Sequence, residues 1–235
     1  MTNIPSEAIQ LLQNNMDIFK CPVCSGSMDL KDNKSLVCSK GHCLDLSKNG
    51  YVNFLLRPVK IEYDKAMLSA RNRILKSGFF LPLAKQISVI AEEEMDFSAK
   101  KQYRVLDAGC GEGSFLVQAV NCLMGGTAAV KDGIGNITGI GMDISKDGIQ
   151  IAAKQYPNHI WSVGDLANCP FLDDKMDVIF NVLSPSNYDE FRRLLTDGGL
   201  LIKAVPGSEY LKELRAVFYH QTDKQEYSNK RVLEH

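Results

Sequence analysis

The chain has 235 residues, of which 45% are hydrophobic, 23% charged and 8% aromatic, enough for one large domain or a medium one with a small companion. This make-up excludes a disordered chain, a collagen and a coiled-coil rod. The net charge of −1 conceals a split: residues 20–85 hold twelve Lys+Arg against five Asp+Glu, leaving fifteen against twenty-three elsewhere, so a basic front suited to a polyanion precedes an acidic remainder.

The N-terminus (MTNIPSEAIQ) has no basic region followed by an apolar run, so no secretory signal is expected. The longest uncharged stretch, Gly113 to Val130, is interrupted by Gln118, Asn121, Gly125-Gly126 and Thr127, which makes it a poor membrane span. A soluble cytoplasmic protein is the expectation.

In chain order, SEAIQLLQNNM predicts a short amphipathic helix within residues 1–17, capped by Ser6. Residues 18–55 alternate polar and apolar side chains between turns such as Asp32-Asn33-Lys34 and Lys48-Asn49-Gly50, which suits small hairpins. This part is too short and polar to have a core of its own and needs a staple. Helices are expected from Asp64, a capping residue, to Gly78, and from Phe80 to Phe97 with Pro82 in the first turn. Strands then fall at 103–107, 137–142, 160–164, 177–182 and 199–204, with helices near 113–124, 145–155, 187–195 and 208–218. Such alternation implies a parallel sheet covered by helices on both faces. The connection between Asn121 and Asn136 is longer than needed and reads as a surface loop. The expected divisions are 1–55, an N-terminal helix and metal module; 56–98, a helical connector; 99–232, the sheet domain; and 233–235, Leu-Glu-His, resembling the start of an expression tag.

The staple lies among seven cysteines: Cys21, Cys24, Cys38, Cys43, Cys110, Cys122 and Cys169. Four fall within one 23-residue stretch, and with no export signal this clustering favours metal over disulfides. Cys21-Pro-Val-Cys24 and Cys38-Ser-Lys-Gly-His42 form two short ligand pairs that can close a tetrahedron around Zn2+. Cys43 adjoins His42 and could replace it. Either set fills the coordination sphere, so the zinc would be structural.

Val105-Leu-Asp107-Ala-Gly109-Cys-Gly111-Glu-Gly113-Ser114 sits where a strand should turn into a helix. Its glycines allow a tight turn and close backbone approach to a ligand at a helix N-terminus. Dinucleotide folds place the third glycine one residue later than Gly113. The pattern D-x-G-x-G-x-G instead resembles motif I of the S-adenosylmethionine-dependent methyltransferases. Asp143 ends the next strand, where a carboxylate can accept two ribose hydroxyl hydrogen bonds. Gly164-Asp165-Leu166 follows the third, where these enzymes often place an acid near the adenine amino group.

Zinc knuckles, then Gly50-Tyr-Val-Asn-Phe-Leu, Ala70-Arg-Asn-Arg and Gly78-Phe-Phe-x-Pro-Leu83, then the glycine loop, form an order that resembles the 23S ribosomal RNA guanine-N1 methyltransferases over residues 19–219. The resemblance implies a Rossmann-like class I methyltransferase sheet with a small zinc-ribbon-like β domain that helps hold a 23S rRNA hairpin loop. It also implies further strands beyond the end of this chain. Carried over by motif, Phe80 packs on the cofactor, Phe115 and Leu116 are contacts just past the glycine loop, and Tyr210 is a cofactor-proximal ring. A homodimer is left open.

Methyl transfer needs the acceptor in line with the S–CH3 bond, and guanine N1 carries a proton on the Watson–Crick edge, so the base must be unpaired. The stretch Asn181-Val-Leu-Ser184-Pro185-Ser-Asn187 echoes only loosely the [ND]-P-P-[YF] of exocyclic-amine methyltransferases, and Asn181 and Ser184 are its candidate positioning residues. Arg71, Arg73, Lys76, Lys31, Lys34, Lys40 and Lys48 are the expected phosphate contacts. Two other readings stand beside this one. A small-molecule methyltransferase has no use for a basic zinc module, and a non-catalytic zinc-ribbon RNA-binding protein would bind RNA and cofactor without turnover.

Overall fold

The computed structural model describes residues 4–59, 65–126, 136–207 and 209–218. Helix α1 (Ser6–Gln13) and a 3-10 turn (Met16–Ile18) precede three short strands, β1 (Met28–Lys31), β2 (Ser35–Cys38) and β3 (Cys43–Asp45), which form an antiparallel sheet. Strand β4 (Val52–Asn53) and helices α2 (Lys65–Lys76) and α3 (Leu81–Glu94) follow. Strands and helices then alternate: β5 (Gln102–Ala108), α4 (Ser114–Gly126), β6 (Asn136–Asp143), α5 (Lys146–Gln155), β7 (Ile160–Val163), β8 (Met176–Val182), α6 (Tyr188–Leu194), β9 (Leu195–Ala204) and α7 (Lys212–Phe218).

The large sheet is parallel throughout, in the order β4-β7-β6-β5-β8-β9. Strands β7 and β8 are buried at every position, as a sheet covered on both faces requires. The sheet has six strands where the sequence predicts five. The extra edge strand comes from the segment after the zinc ligands: Val52 pairs with Ser162 and Asn53 with Val163, and the Phe54 amide donates to the Val163 carbonyl at 2.9 Å. A two-residue strand leaves no periodicity to read.

The covering also departs from expectation. One face of the sheet, through Val105, Val178 and Phe180, packs on α3, α4 and α5. The other, through Leu106, Ala108, Ile140, Met142 and Ile179, packs on α6 and on the zinc segment's Phe19, Met28, Leu36, Val52 and Phe54. Residues 18–55 therefore borrow the sheet's core. Phe19 is fully buried, stacked on Phe54 with ring centroids 5.9 Å apart and 6.1 Å from Phe171. Buried Asn15 accepts from Gln102 and Arg104 on β5, and Arg104 forks onto Asp17 at 2.7 and 3.0 Å.

Several boundaries move. Pro5, not Ser6, stands at the cap of α1, and the Ser6 hydroxyl meets Glu7 instead. That helix stops at Gln13 because Asn15 turns its amide back onto the Leu11 carbonyl. Helix α3 ends at Glu94, short of Phe97, whose ring packs on Tyr103. Strand β9 begins at Leu195, and α7 begins only at Lys212. The capping Asp64, most of the Asn121–Asn136 loop and the C-terminal tripeptide lie outside the described residues.

Candidate functional site: a zinc knuckle pair and a crevice at the sheet's switch point

The four expected metal ligands come together. The ligand atoms of Cys21, Cys24, Cys38 and His42 all lie within 4.8 Å of one another. Cys24 and Cys38 sulfurs are 3.7 Å apart, and His42 Nδ1 is 3.5 Å from Cys21 Sγ and 3.3 Å from Cys38 Sγ. A tetrahedron with Zn–S bonds of about 2.3 Å has edges of roughly 3.8 Å, so the donor set fits zinc without rearrangement. Two tight turns make this possible. The Ser25 amide donates to the Cys21 carbonyl with Ser25 at φ 59°, and the Gly41 amide donates to the Cys38 carbonyl with Gly41 at φ 80°. Cys43 is exposed, with its thiol turned towards Asp45, which settles the fourth ligand as His42.

The second site lies at the carboxyl end of the large sheet, beside β5. The order reverses at this strand, with β6 on one side and β8 on the other, and a parallel sheet opens a crevice at such a switch point. A narrow cavity of about 10 Å³ lies there, lined by Arg71 and Leu75 of α2, Phe80, Asp107, Gly109, Cys110, Phe115, Val182 and Leu183. Gly109 leaves β5 at φ 92°, its amide donating to the Met142 carbonyl at 2.8 Å. A side chain there would collide with the Ser184 hydroxyl, 1.9 Å from where its Cβ would sit. Gly113, at φ 84°, is pressed against the Trp161 ring. It shapes the loop from behind and does not line the cavity. Gly111 donates its amide to Asp143 Oδ2 at 2.8 Å, while Asp143 Oδ1 accepts from Ser145 at 2.7 Å. Asp143 thus braces the loop, with one lone pair on each oxygen left for a ribose.

Asp107 is 2% exposed. Burial pushes its carboxyl up to about 7, Asp143 and Glu112 add to the rise, and the Arg71 guanidinium opposes it. Burial also raises Asp143. Phe80 and Phe115 line the cavity as expected, whereas Leu116 is fully buried in the core behind it. Helix periodicity turns residue 116 about 100° from its neighbour, which accounts for the difference. Tyr210 sits in the turn before α7, outside the cavity lining. Asp165 is exposed. With Leu166 it lines a separate, open cleft of about 440 Å³ together with Pro185, Asn187, Tyr188 and Asp189. Leu166 of the cleft comes within 4.0 Å of the Gly109 Cβ position, so the cleft lies next to the cavity.

Asn181 is fully buried and its amide is spent inside the protein: it donates to the carbonyls of Ala108 at 2.7 Å and Pro185 at 3.0 Å, and accepts from Ser186 and Lys203. It positions the β8 loop and presents nothing to a ligand. The helix cap there is Asn187. Lys203 escaped the sequence reading, although a lysine within the apolar run of β9 was a signal. Its ammonium donates to Asn181 and to the Ser184 carbonyl, and burial lowers its pKa. Leu183, between them, is held at φ 53°, a strained conformation for a bulky side chain.

Comparison with known proteins agrees with this geometry. Residues 99–234 match a methyltransferase domain family and residues 19–62 match the N-terminal region of RlmA, a zinc ribbon. A Methanococcus maripaludis crystal structure, described as a "putative s-adenosyl-l-methionine-dependent methyltransferase", shares the fold with a TM-score of 0.51 at 19% identity, over 77% of this chain and 84% of that one. Fold, crevice and zinc ligands define a class I S-adenosylmethionine-dependent methyltransferase with a structural zinc ribbon. A Bacillus subtilis protein named "Putative 23S rRNA (guanine-N(1)-)-methyltransferase" is 44% identical over 94% of this chain and 75% of its own length. The 23S rRNA (guanine(748)-N(1))-methyltransferase of Streptomyces fradiae is 31% identical over 86% of this chain and 68% of its own. The chain belongs to the family of 23S rRNA guanine-N1 methyltransferases.

Cys43→Ser should retain one zinc per chain and His42→Ala should lose it, with metal content measured by mass spectrometry. In the zinc-stripped protein, amide exchange should accelerate at Val52–Phe54 and at their partner strand β7, not in the hairpins alone. For Asp107 the sign is set by the raised folded-state pKa. The folded chain keeps its proton between the usual carboxylate range and about pH 7 while the unfolded chain has released it, so this group costs stability as pH rises through that window. A bound ammonium favours the ionised form. Calorimetric affinity for S-adenosylhomocysteine should therefore rise between about pH 5.5 and about pH 7.5, and Asp107→Asn should bind more weakly with a flat profile.

Proposed function

We propose that this chain transfers the methyl group of S-adenosylmethionine to N1 of a guanine in a hairpin loop of 23S rRNA, and that it works in the cytoplasm where that RNA is assembled. The observation that carries the reading is the shared core. The exposed lysines of the zinc segment, Lys31, Lys34, Lys40 and Lys48, are fixed to the same sheet that bears the crevice, so an RNA held by one is presented to the other in a set geometry. The family relationship supports the substrate class.

The cofactor supplies an electrophilic methyl group when bound in the crevice. Around it, Gly109 and Gly111 let the backbone approach, Asp143 braces the loop and takes the ribose, Asp107 faces the charged amino acid end, and Phe80 and Phe115 cover the rest. The neighbouring cleft, lined by Leu166, receives the guanine, with the Tyr188 ring available for stacking. Lys203 and Asn181 hold the Ser184 loop still. The departing N1 proton has Asp165 or water of the open cleft as acceptor.

The division into a zinc module, a helical connector and a methyltransferase domain is proposed in the functional sense only, since the zinc segment shares the sheet's core. A small-molecule methyltransferase would leave the exposed lysines unexplained, and a non-catalytic RNA binder would leave the strained Leu183 loop so.

The test is methyl transfer to naked 23S rRNA fragments, read by primer extension, because methylation at N1 blocks pairing. A stop at one loop guanine is the expected result, and transfer to small acceptors alone contradicts the reading. Replacing Lys31, Lys34, Lys40 and Lys48 by Gln should lower the slope of log affinity against log salt by roughly 3. An unchanged slope removes these lysines from the RNA surface.

A further inference from the structure

The sequence assigns Arg71 to the RNA surface with the other connector cations. Its position in the fold indicates another ligand. Arg71 and Leu75 lie four residues apart on α2, hence on one face of the helix, and both line the crevice. The guanidinium lies 3.7–3.9 Å from the point where a Cβ on Gly111 would stand, directly over the glycine loop. No hydrogen bond or ion pair joins that guanidinium to another described residue.

The helix is fixed in this position. Asn72 is buried, and its side-chain amide donates to Glu112 Oε2 at 2.5 Å and to Ser114 Oγ at 2.8 Å. Both acceptors belong to the glycine loop or the start of α4. Gln118 of α4 donates to the Leu75 carbonyl at 2.7 Å. Lys76, by contrast, stands over the Tyr156 ring, 5.9 Å from its centroid, and Arg73 is exposed and does not line the cavity. Arg71 is thus the connector cation that the docking of α2 delivers into the crevice, opposite the buried carboxyl of Asp107.

A cation and a buried carboxylate that line one small cavity match a zwitterion. The amino acid end of the cofactor carries an ammonium and a carboxylate on the same carbon, and a planar guanidinium with two parallel N–H donors suits the carboxylate. We infer that Arg71 binds the α-carboxylate of the cofactor while Asp107 takes its ammonium, so that α2 forms one wall of the methyl-donor site. The inference rests on the crevice being the cofactor site.

The test compares two ligands by titration calorimetry on the whole chain: S-adenosylhomocysteine, which has the amino acid end, and 5′-deoxy-5′-methylthioadenosine, which lacks it. Arg71→Met should weaken S-adenosylhomocysteine by about 10- to 100-fold and change methylthioadenosine by less than about twofold. Arg71→Lys, which keeps the charge without the fork, should fall between. Thermal melting of each variant checks the fold, and the exposed position of Arg71 leads us to expect no change. An S-adenosylhomocysteine affinity within about twofold of wild type, or an equal loss for both ligands, overturns the inference and leaves the crevice as the cofactor site. A reduced RNA salt slope with unaltered S-adenosylhomocysteine binding returns Arg71 to the RNA surface. Failure of the wild-type chain to bind either ligand defeats the crevice assignment itself and the inference with it.

Discussion

The turn between β5 and α4 is the constraint on which the rest of the molecule depends. It must bring bare backbone to a ligand, and three glycines at positive φ allow it to do so, but glycines alone would leave the loop floppy. Its shape is imposed from outside by the Met142 carbonyl and the Asp143 carboxylate of the neighbouring strand, by the Trp161 ring behind Gly113, and by the Ser184 hydroxyl in front of Gly109. They come from β6, from β7 and from the loop after β8, so the loop takes its working form only when the parallel sheet is complete.

The zinc segment contributes to that completeness. It is too polar to fold alone, and zinc fixes the positions of its turns, but its apolar side chains pack on the sheet and its last two residues of strand extend the sheet edge at β7. Strand β7 also carries Trp161, so a line of packed groups runs from the knuckles through β4 to the back of the glycine loop. The same arrangement ties the basic segment to the sheet that bears the crevice. A structural metal and a methyl-transfer site are coupled here through a shared core, with no direct contact needed between them.

Much of this was legible in the sequence where the chemistry is local. Four ligands in two short knuckles, and an acid at each of three strand ends, are patterns a chain shows without being folded. The choice between His42 and Cys43 was not, because adjacent residues differ only in which way the turn at Gly41 aims them. The sixth strand was hidden because two residues carry no period. Leu116 was carried over by motif as a contact just past the glycine loop, while helix geometry sends its side chain into the core. Arg71 was grouped with its charged neighbours, since composition cannot tell which cation of a basic helix borders the crevice. That depended on Asn72 finding Glu112 and Ser114 forty or more residues away. Lys203 and Asn181 illustrate the same limit, as their partnership joins β8 to β9.

We propose that the glycine turn, walled by α2 and the Leu183 loop, cradles the sulfonium cofactor. A crystal structure of the chain with S-adenosylhomocysteine tests it most directly. The ligand should lie against Gly109 and Gly111 with its ribose at Asp143 and its amino acid end between Arg71 and Asp107. Electron density for the ligand at another surface, or an empty crevice at saturating concentration with the fold intact, would contradict the account.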